Sequence, residues 1–318
     1  MKSRIIALLL SAFLPFGMIY AQWDISFRCP YNNSILSLHF VDDMNGWAVG
    51  CSGTVIETTN GGESWTPVKT GIDRQNYLSV YFNDNTNGWI SGRNGLIQRT
   101  SDGGKTWIMQ RTGTSKDLYD IRFLDNRTGF ATGDNGCVLK TTNGGITRNG
   151  YNAGSENYFL SLCFRDDMNG CVAGGKYLNG SYTGIICKTT DGCRTWSDEY
   201  FDSSCFINQL YYAGLNTGWA IGDNGLIVRT TDCGISWKRI ESGTNSFLYS
   251  ISFLDVSNGW VVGTDGTILT TTDGGDIWNT ENSGTKDTFY AVYFTDTGSG
   301  WISGKGKILR TLNRKCEK

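Results

Sequence analysis

Thr58-Thr59-Asn60-Gly61-Gly62-Glu63-Ser64-Trp65 returns as Thr100-Ser101-Asp102-Gly103-Gly104-Lys105-Thr106-Trp107, and the phrase recurs from Thr141, Thr189, Thr230 and Thr271. A Gly-aromatic pair stands twelve residues ahead of the regular copies: Gly46-Trp47, Gly88-Trp89, Gly129-Phe130, Gly218-Trp219 and Gly259-Trp260. Gly170-Cys171 and Gly300-Trp301 complete seven units. A period of about 40–45 residues built from short strands is the mark of a β-propeller with one blade per unit. The fold class expected is therefore all-β, a seven-bladed β-propeller.

Unit six shows how one period becomes one blade. Leu248–Phe253 alternates as a half-buried strand does, Gly259–Gly263 is a second strand, and a Thr264-Asp265-Gly266 turn leads to a third over Thr267–Thr271. The Asp-Gly-Gly turn then feeds Trp278 and a fourth strand. Unit seven stops near Thr311-Leu312-Asn313 with only three strands, while Gln22–Arg28 has the pattern of the missing outer one. The N-terminal strand is thus expected to complete the last blade, which removes the open sheet edges.

Composition agrees with one such domain. The 318 residues include 42 Gly, 3 Pro, 11 Trp, 15 Tyr and 15 Phe, a set for tight turns and aromatic packing rather than helices. Lys and Arg number 28 against 30 Asp and Glu, so no charge bias points to nucleic acid. Residues 1–21 read as a secretory signal peptide: Lys2 and Arg4, an apolar run from Ile5 to Leu14, and small Ala21 at the cut. Residues 22–318 are then an exported, soluble, monomeric propeller, periplasmic, extracellular or lumenal, with no segment inserted in a membrane.

All ten Cys fall after the leader, and an oxidising compartment permits disulfides. Cys29 and Cys316 are expected at opposite ends of the closing strand, too far apart for a bond. Cys51 is expected on the same face as Cys29, which makes Cys29–Cys51 the anticipated staple. No Cys/His spacing suggests zinc, and no motif calls for a cofactor.

The repeated turn residues Asn60, Asp102, Asn143, Asp191, Asp232 and Asp273 suggest calcium at first sight. The structural account is stronger: Asp or Asn accepts bonds inside its own turn, glycine permits positive φ, and the Trp packs between turns. A basic residue precedes the Thr pair in five units: Arg99, Lys140, Lys188, Arg229 and Arg310. These form either a symmetric basic collar or a set of stems packed along the third strands. The largest departure from the repeat is Gly175–Thr183 in unit four. Lys176, Tyr177 and Tyr182 lie there, on the face that also carries Arg74, Arg93 and Lys305. That face is either a recognition patch or the site of a neutral insertion.

The string Gly-Trp-x-x-Gly-x-x-Gly-x-Ile-x-x-Thr-x-Asp-Gly-Gly-x-x-Trp resembles the neuraminidase or Asp-box repeat. It is more similar to the photosystem II stability/assembly factor family of exported seven-bladed propellers, across residues 22–313. That resemblance implies a non-enzymatic, protein-binding assembly factor in photosynthesis, acting on an integral membrane partner, with a basic docking patch for which Arg93, Arg99 and Arg229 are the candidates. Two other functions compete. A sialidase-like glycosidase would need an Arg cluster, a Tyr nucleophile and an acid, for which Tyr81, Tyr119, Tyr249, Asp120 and Arg122 on the inner strands are available. A secreted adhesion or cell-surface propeller would need only the rigid disc.

Overall fold

In the computed structural model, residues 23–311 are described apart from positions 179 and 215. The leader and Cys316 lie outside them. The strands form seven four-stranded antiparallel sheets, and six of them run in chain order from inner to outer strand. Blade two is typical, with Tyr77–Phe82 innermost, then Gly88–Gly92, Ile97–Thr100 and Ile108–Met109.

Blade seven closes as its strand count requires. Asp24–Arg28 lies antiparallel to Lys307–Thr311, with Asp24 opposite Arg310 and Arg28 opposite Lys307. Trp23 then donates its indole N–H to Glu281 Oε1 of blade six at 2.9 Å, pinning the start of the closing strand to the neighbouring sheet. The expected Cys29–Cys51 staple is absent: both are free thiols. Their backbones belong to different blades, since Cys29 N–H bonds Gly306 O of blade seven while Cys51 N–H bonds Ser34 O beside blade one.

The core is not a central cluster but a set of layers between adjacent blades. Trp47 of blade one stacks on Phe82 of blade two at 3.6 Å, and the relation repeats in Trp89–Phe123, Phe130–Phe164, Trp219–Phe253, Trp260–Phe294 and Trp301–Phe40. The last pair joins blade seven to blade one. The preceding glycine is required by the same packing, because a Cβ on Gly88 would lie 2.4 Å from the Phe82 ring and one on Gly46 equally close to Phe40. The Asp-box Trp meets that Phe edge-on, as Trp107 does Phe82 and Trp278 does Phe253. Six of the seven interfaces hold the stacked pair, and in five of these a third ring meets the Phe edge-on, each aromatic pair being worth about 0.5–1.5 kcal/mol beyond its burial.

A second repeated device lies nearer the axis. Every inner strand shifts register at one place, between Tyr77 and Ser79 in blade two and at the equivalent pair in the other six. A bulge leaves a backbone N–H without a ladder partner. The preceding blade supplies one: Val80 N–H bonds Ser37 Oγ at 3.2 Å, Leu210 bonds Ser161 at 3.1 Å, Ile251 bonds Gln209 at 2.6 Å and Val292 bonds Ser250 at 3.1 Å.

Trp301 combines both kinds of tether, stacking on Phe40 while donating its indole N–H to Gly61 O at 3.1 Å. Trp301→Ala is expected to lower stability by about 3–5 kcal/mol in urea denaturation. A loss below about 1 kcal/mol would show that ring closure does not depend on this stack.

Candidate functional site

The six Asp-box residues are occupied by their own turns. Asp102 Oδ1 accepts Thr106 N–H at 2.9 Å, Asp102 Oδ2 accepts the Thr106 hydroxyl at 2.6 Å, and Thr100 Oγ1 donates to Oδ1 at 2.8 Å. Asp191 and Asp232 repeat this set with Thr195 and Ser236. Asp273 accepts Ile277 N–H at 3.0 Å. Asn60 and Asn143 accept Ser64 and Thr147 N–H, and their Nδ2 groups donate to the same two hydroxyls. The side-chain hydroxyl bonds, followed by the backbone N–H bonds, pull Asp102, Asp191 and Asp232 down to about 2.

Four of the five basic positions before the Thr pair are held within the scaffold. In strand register Arg99 is opposite Trp89, Lys140 opposite Phe130, Arg229 opposite Trp219 and Arg310 opposite Trp301, so each shares a sheet face with the stacked aromatic. The Arg99 guanidinium lies 5.5 Å from the Trp89 ring centre and donates to Asn87 Oδ1 at 3.3 Å. Arg229 reaches Asp276 of blade six at 2.7 Å, Lys140 donates to Asp167 O of blade four, and Arg310 lies 3.8 Å from Glu63 of blade one. Lys140, Arg229 and Arg310 thus cross from one blade to the next, while Arg99 is held within blade two. Of the two candidate docking arginines among them, Arg99 and Arg229 are both committed to that scaffold.

The remaining candidates share one face of the disc but not one patch. Arg74 and Arg93 are neighbours, since Gln75 Nε2 donates to Arg93 O at 3.2 Å, and Arg93 is 57% exposed beside Asp117 at 3.7 Å. Lys305 stands in the second-to-third-strand turn of blade seven, paired through its backbone with Ser34. Lys176, Tyr177 and Tyr182 belong to blade four, away from that sector of the ring.

The insertion in blade four is a β-hairpin rather than an open loop. Its second and third strands run over Gly170–Leu178 and Ser181–Thr189, against about five residues elsewhere, and the added pairs include Lys176 with Thr183 and Tyr177 with Tyr182. The two tyrosine rings are 5.0 Å apart, and 60% and 54% exposed. Tyr182 also meets Phe206 edge-on at 6.1 Å, and Lys176 is paired with Glu156 at 3.2 Å. Cross-strand pairing sets the two rings side by side, which the sequence spacing alone does not reveal.

The axis holds a cavity of about 700 Å³ lined by the inner strands. Its groups are engaged with one another. Asp120 takes the place that serine holds in most blades: Oδ1 accepts Ile121 N–H at 2.9 Å and the Ser79 hydroxyl at 3.1 Å, Oδ2 accepts Leu162 N–H at 3.1 Å, and Arg122 Nε lies 3.3 Å away. Arg122 also sits 5.6 Å from the Tyr81 ring centre. Tyr119 donates to Asp134 Oδ1 at 2.7 Å, and burial followed by that bond raises its phenol well above the usual range. His39 packs between Tyr81 and Tyr293, and burial pushes its imidazole down to about 3, so it is neutral at pH 7. Among the described residues Arg122 is the single arginine lining this cavity, and both Asp120 oxygens already accept backbone N–H bonds. The constellation a sialidase needs is not assembled from Tyr81, Tyr119, Tyr249, Asp120 and Arg122.

A profile of the family described as photosynthesis system II assembly factor YCF48 matches residues 17–113 and 236–315, more than half of the chain. The photosystem II assembly protein Ycf48 of Thermosynechococcus vestitus is 34% identical over 58 residues, which span 18% of this chain and 16% of that protein. Among solved structures, YCF48 bound to D1 peptide superposes with TM-score 0.75 at 22% identity, covering 93% of this chain and 98% of that one. YCF48 from Cyanidioschyzon merolae gives 0.76 at 19% identity, covering 92% and 99%. The WD40 β-propeller domain of Doa1 gives 0.73 at 15% identity, covering 92% and 98%, so these likenesses speak to the fold.

Because Asp102, Asp191 and Asp232 are more acidic folded than at the unfolded value of about 3.9, their stabilisation is complete above that value and lost as pH falls through about 2. Asp102→Asn, Asp191→Asn and Asp232→Asn together should preserve the turns, as Asn60 and Asn143 do, and leave a smaller stability loss between pH 4 and 2. Acid titration followed by tryptophan fluorescence checks this, and equal acid lability would contradict it.

Proposed function

This chain belongs to the photosynthesis system II assembly factor YCF48 family, and on that premise we propose that it is a non-catalytic propeller that binds a segment of another protein during that protein's assembly. The observation that carries the proposal is the blade-four hairpin, which pairs Tyr177 with Tyr182 across its strands and exposes both on the face that also carries Arg74, Arg93 and Lys305. Tyrosines on a fixed backbone supply contact area at small entropic cost. The D1 peptide bound by YCF48 in the solved relative supports a peptide segment as the ligand class. The leader-like Met1–Ala21 supports export of residues 22–318, which function as a monomer on the far side of the membrane, and a membrane-protein precursor as partner. No helix among the described residues is long and apolar enough to cross a membrane.

On this reading Tyr177 and Tyr182 anchor the partner, while Arg74, Arg93 and Lys305 steer its approach from the other sector of the face. Residues 22–318 used as bait on detergent-solubilised membranes of the host should capture one membrane-protein precursor. Tyr177→Ala with Tyr182→Ala should reduce capture roughly tenfold or more. Arg93→Glu should weaken it mainly at low salt. Undiminished capture by the hairpin variant would remove the hairpin from the site. Recovery of polysaccharide alone would favour an adhesion role.

A further inference from the structure

Cys163 and Cys171 occupy a pair of positions that no other blade gives to cysteine. They face each other in register on the inner and second strands of blade four, and both are free thiols in this structure. The equivalent pairs are His39 with Trp47, Tyr81 with Trp89, Arg122 with Phe130, Tyr211 with Trp219, Ser252 with Trp260 and Tyr293 with Trp301. Both members have therefore become cysteine together, at the one interface that lacks the stacked aromatic. Tyr212 of blade five stands where the partner Phe would be, with its hydroxyl 3.9 Å from Cys171 Sγ.

We propose that Cys163 and Cys171 are an oxidation site, joined by a cross-strand disulfide that clamps blade four where the aromatic stack is missing. Residues directly opposite in an antiparallel pair project from the same face, with Cα atoms about 4.5–5.5 Å apart, inside the span a disulfide needs. Cys137, Cys187, Cys29 and Cys51 have no cysteine opposite them in register. Cys137 is opposite Asn152, Cys187 lies between Val172 and Asp198, and Cys29 and Cys51 sit on different blades.

The reaction is thiol–disulfide exchange with a small-molecule disulfide or a disulfide exchange protein of the oxidising compartment. One cysteine thiolate attacks the oxidant's S–S bond, forms a mixed disulfide and releases the first oxidant thiol. The second thiolate attacks the protein sulfur of that mixed disulfide and releases the other. Two protein thiols become one disulfide, and two electrons and two protons reduce the oxidant to two thiols. Burial pushes Cys163 up to about 12 and Cys171 up to about 11, so the closed propeller holds both as thiols. The bond is then made during folding, before blade five covers the pair.

Trypsin cleavage after Arg165 separates the two cysteines into residues 149–165 and 166–176, each holding one cysteine. Residues 22–318 are refolded in oxidised and reduced glutathione, blocked with N-ethylmaleimide and digested without reductant. The expected result is these two peptides linked, and released by reduction, with thermal unfolding lowered by roughly 5 °C when the bond is reduced. Recovery of both peptides alkylated, or of either joined to a third cysteine, would overturn the proposal. Cys163→Ser with Cys171→Ser should abolish the redox dependence of unfolding, and a dependence that survives would place the bond elsewhere.

Discussion

The ring is held by one contact made between successive blades: the aromatic after a strand glycine, stacked on the inner-strand Phe of the next blade. Its geometry constrains both partners. The Phe can lie flat only because its own blade carries glycine beneath it, as Gly88 lies under Phe82 and Gly46 under Phe40. The stacked Trp can donate its indole N–H to the next Asp-box turn, as Trp47, Trp219 and Trp301 do to Gly103, Gly274 and Gly61. A glycine, two aromatics and a turn are thus one unit spread over two blades.

The polar features follow from the same unit. Arg99, Lys140, Arg229 and Arg310 lie beside the stacked ring because strand register places them there. Their charges then find acceptors on the same or the next blade, and an exposed cation gains little from such pairing except orientation. Nearer the axis, Ser37, Asp120, Ser161, Gln209 and Ser250 satisfy N–H groups in the following blade. A side chain that looks catalytic in Asp120 is, in place, an inter-blade acceptor.

Where the unit is broken, the chain has something of its own. Blade four has Cys171 at the stacking position and, at the other end of the same strands, an extended hairpin. The Tyr177–Tyr182 pair stands clear of the repeat, so it is free to differ without loosening the ring. The regular blades have no such freedom, which is why the proposed binding chemistry is placed at this departure from symmetry.

The sequence by itself determined the all-β class, the seven blades, the closing strand and the role of Asn60, Asp102 and their equivalents. These rest on local pattern: a fixed period, two-residue alternation, and side chains bonding backbone two to four residues away. Only the tertiary structure decided that Arg229 is a tether between blades, that Gly175–Thr183 is a paired hairpin, and that Cys29 and Cys51 remain unjoined. Those outcomes depend on which residue faces which across strands and between sheets. A linear spacing does not carry that information until the register and the ring are in place.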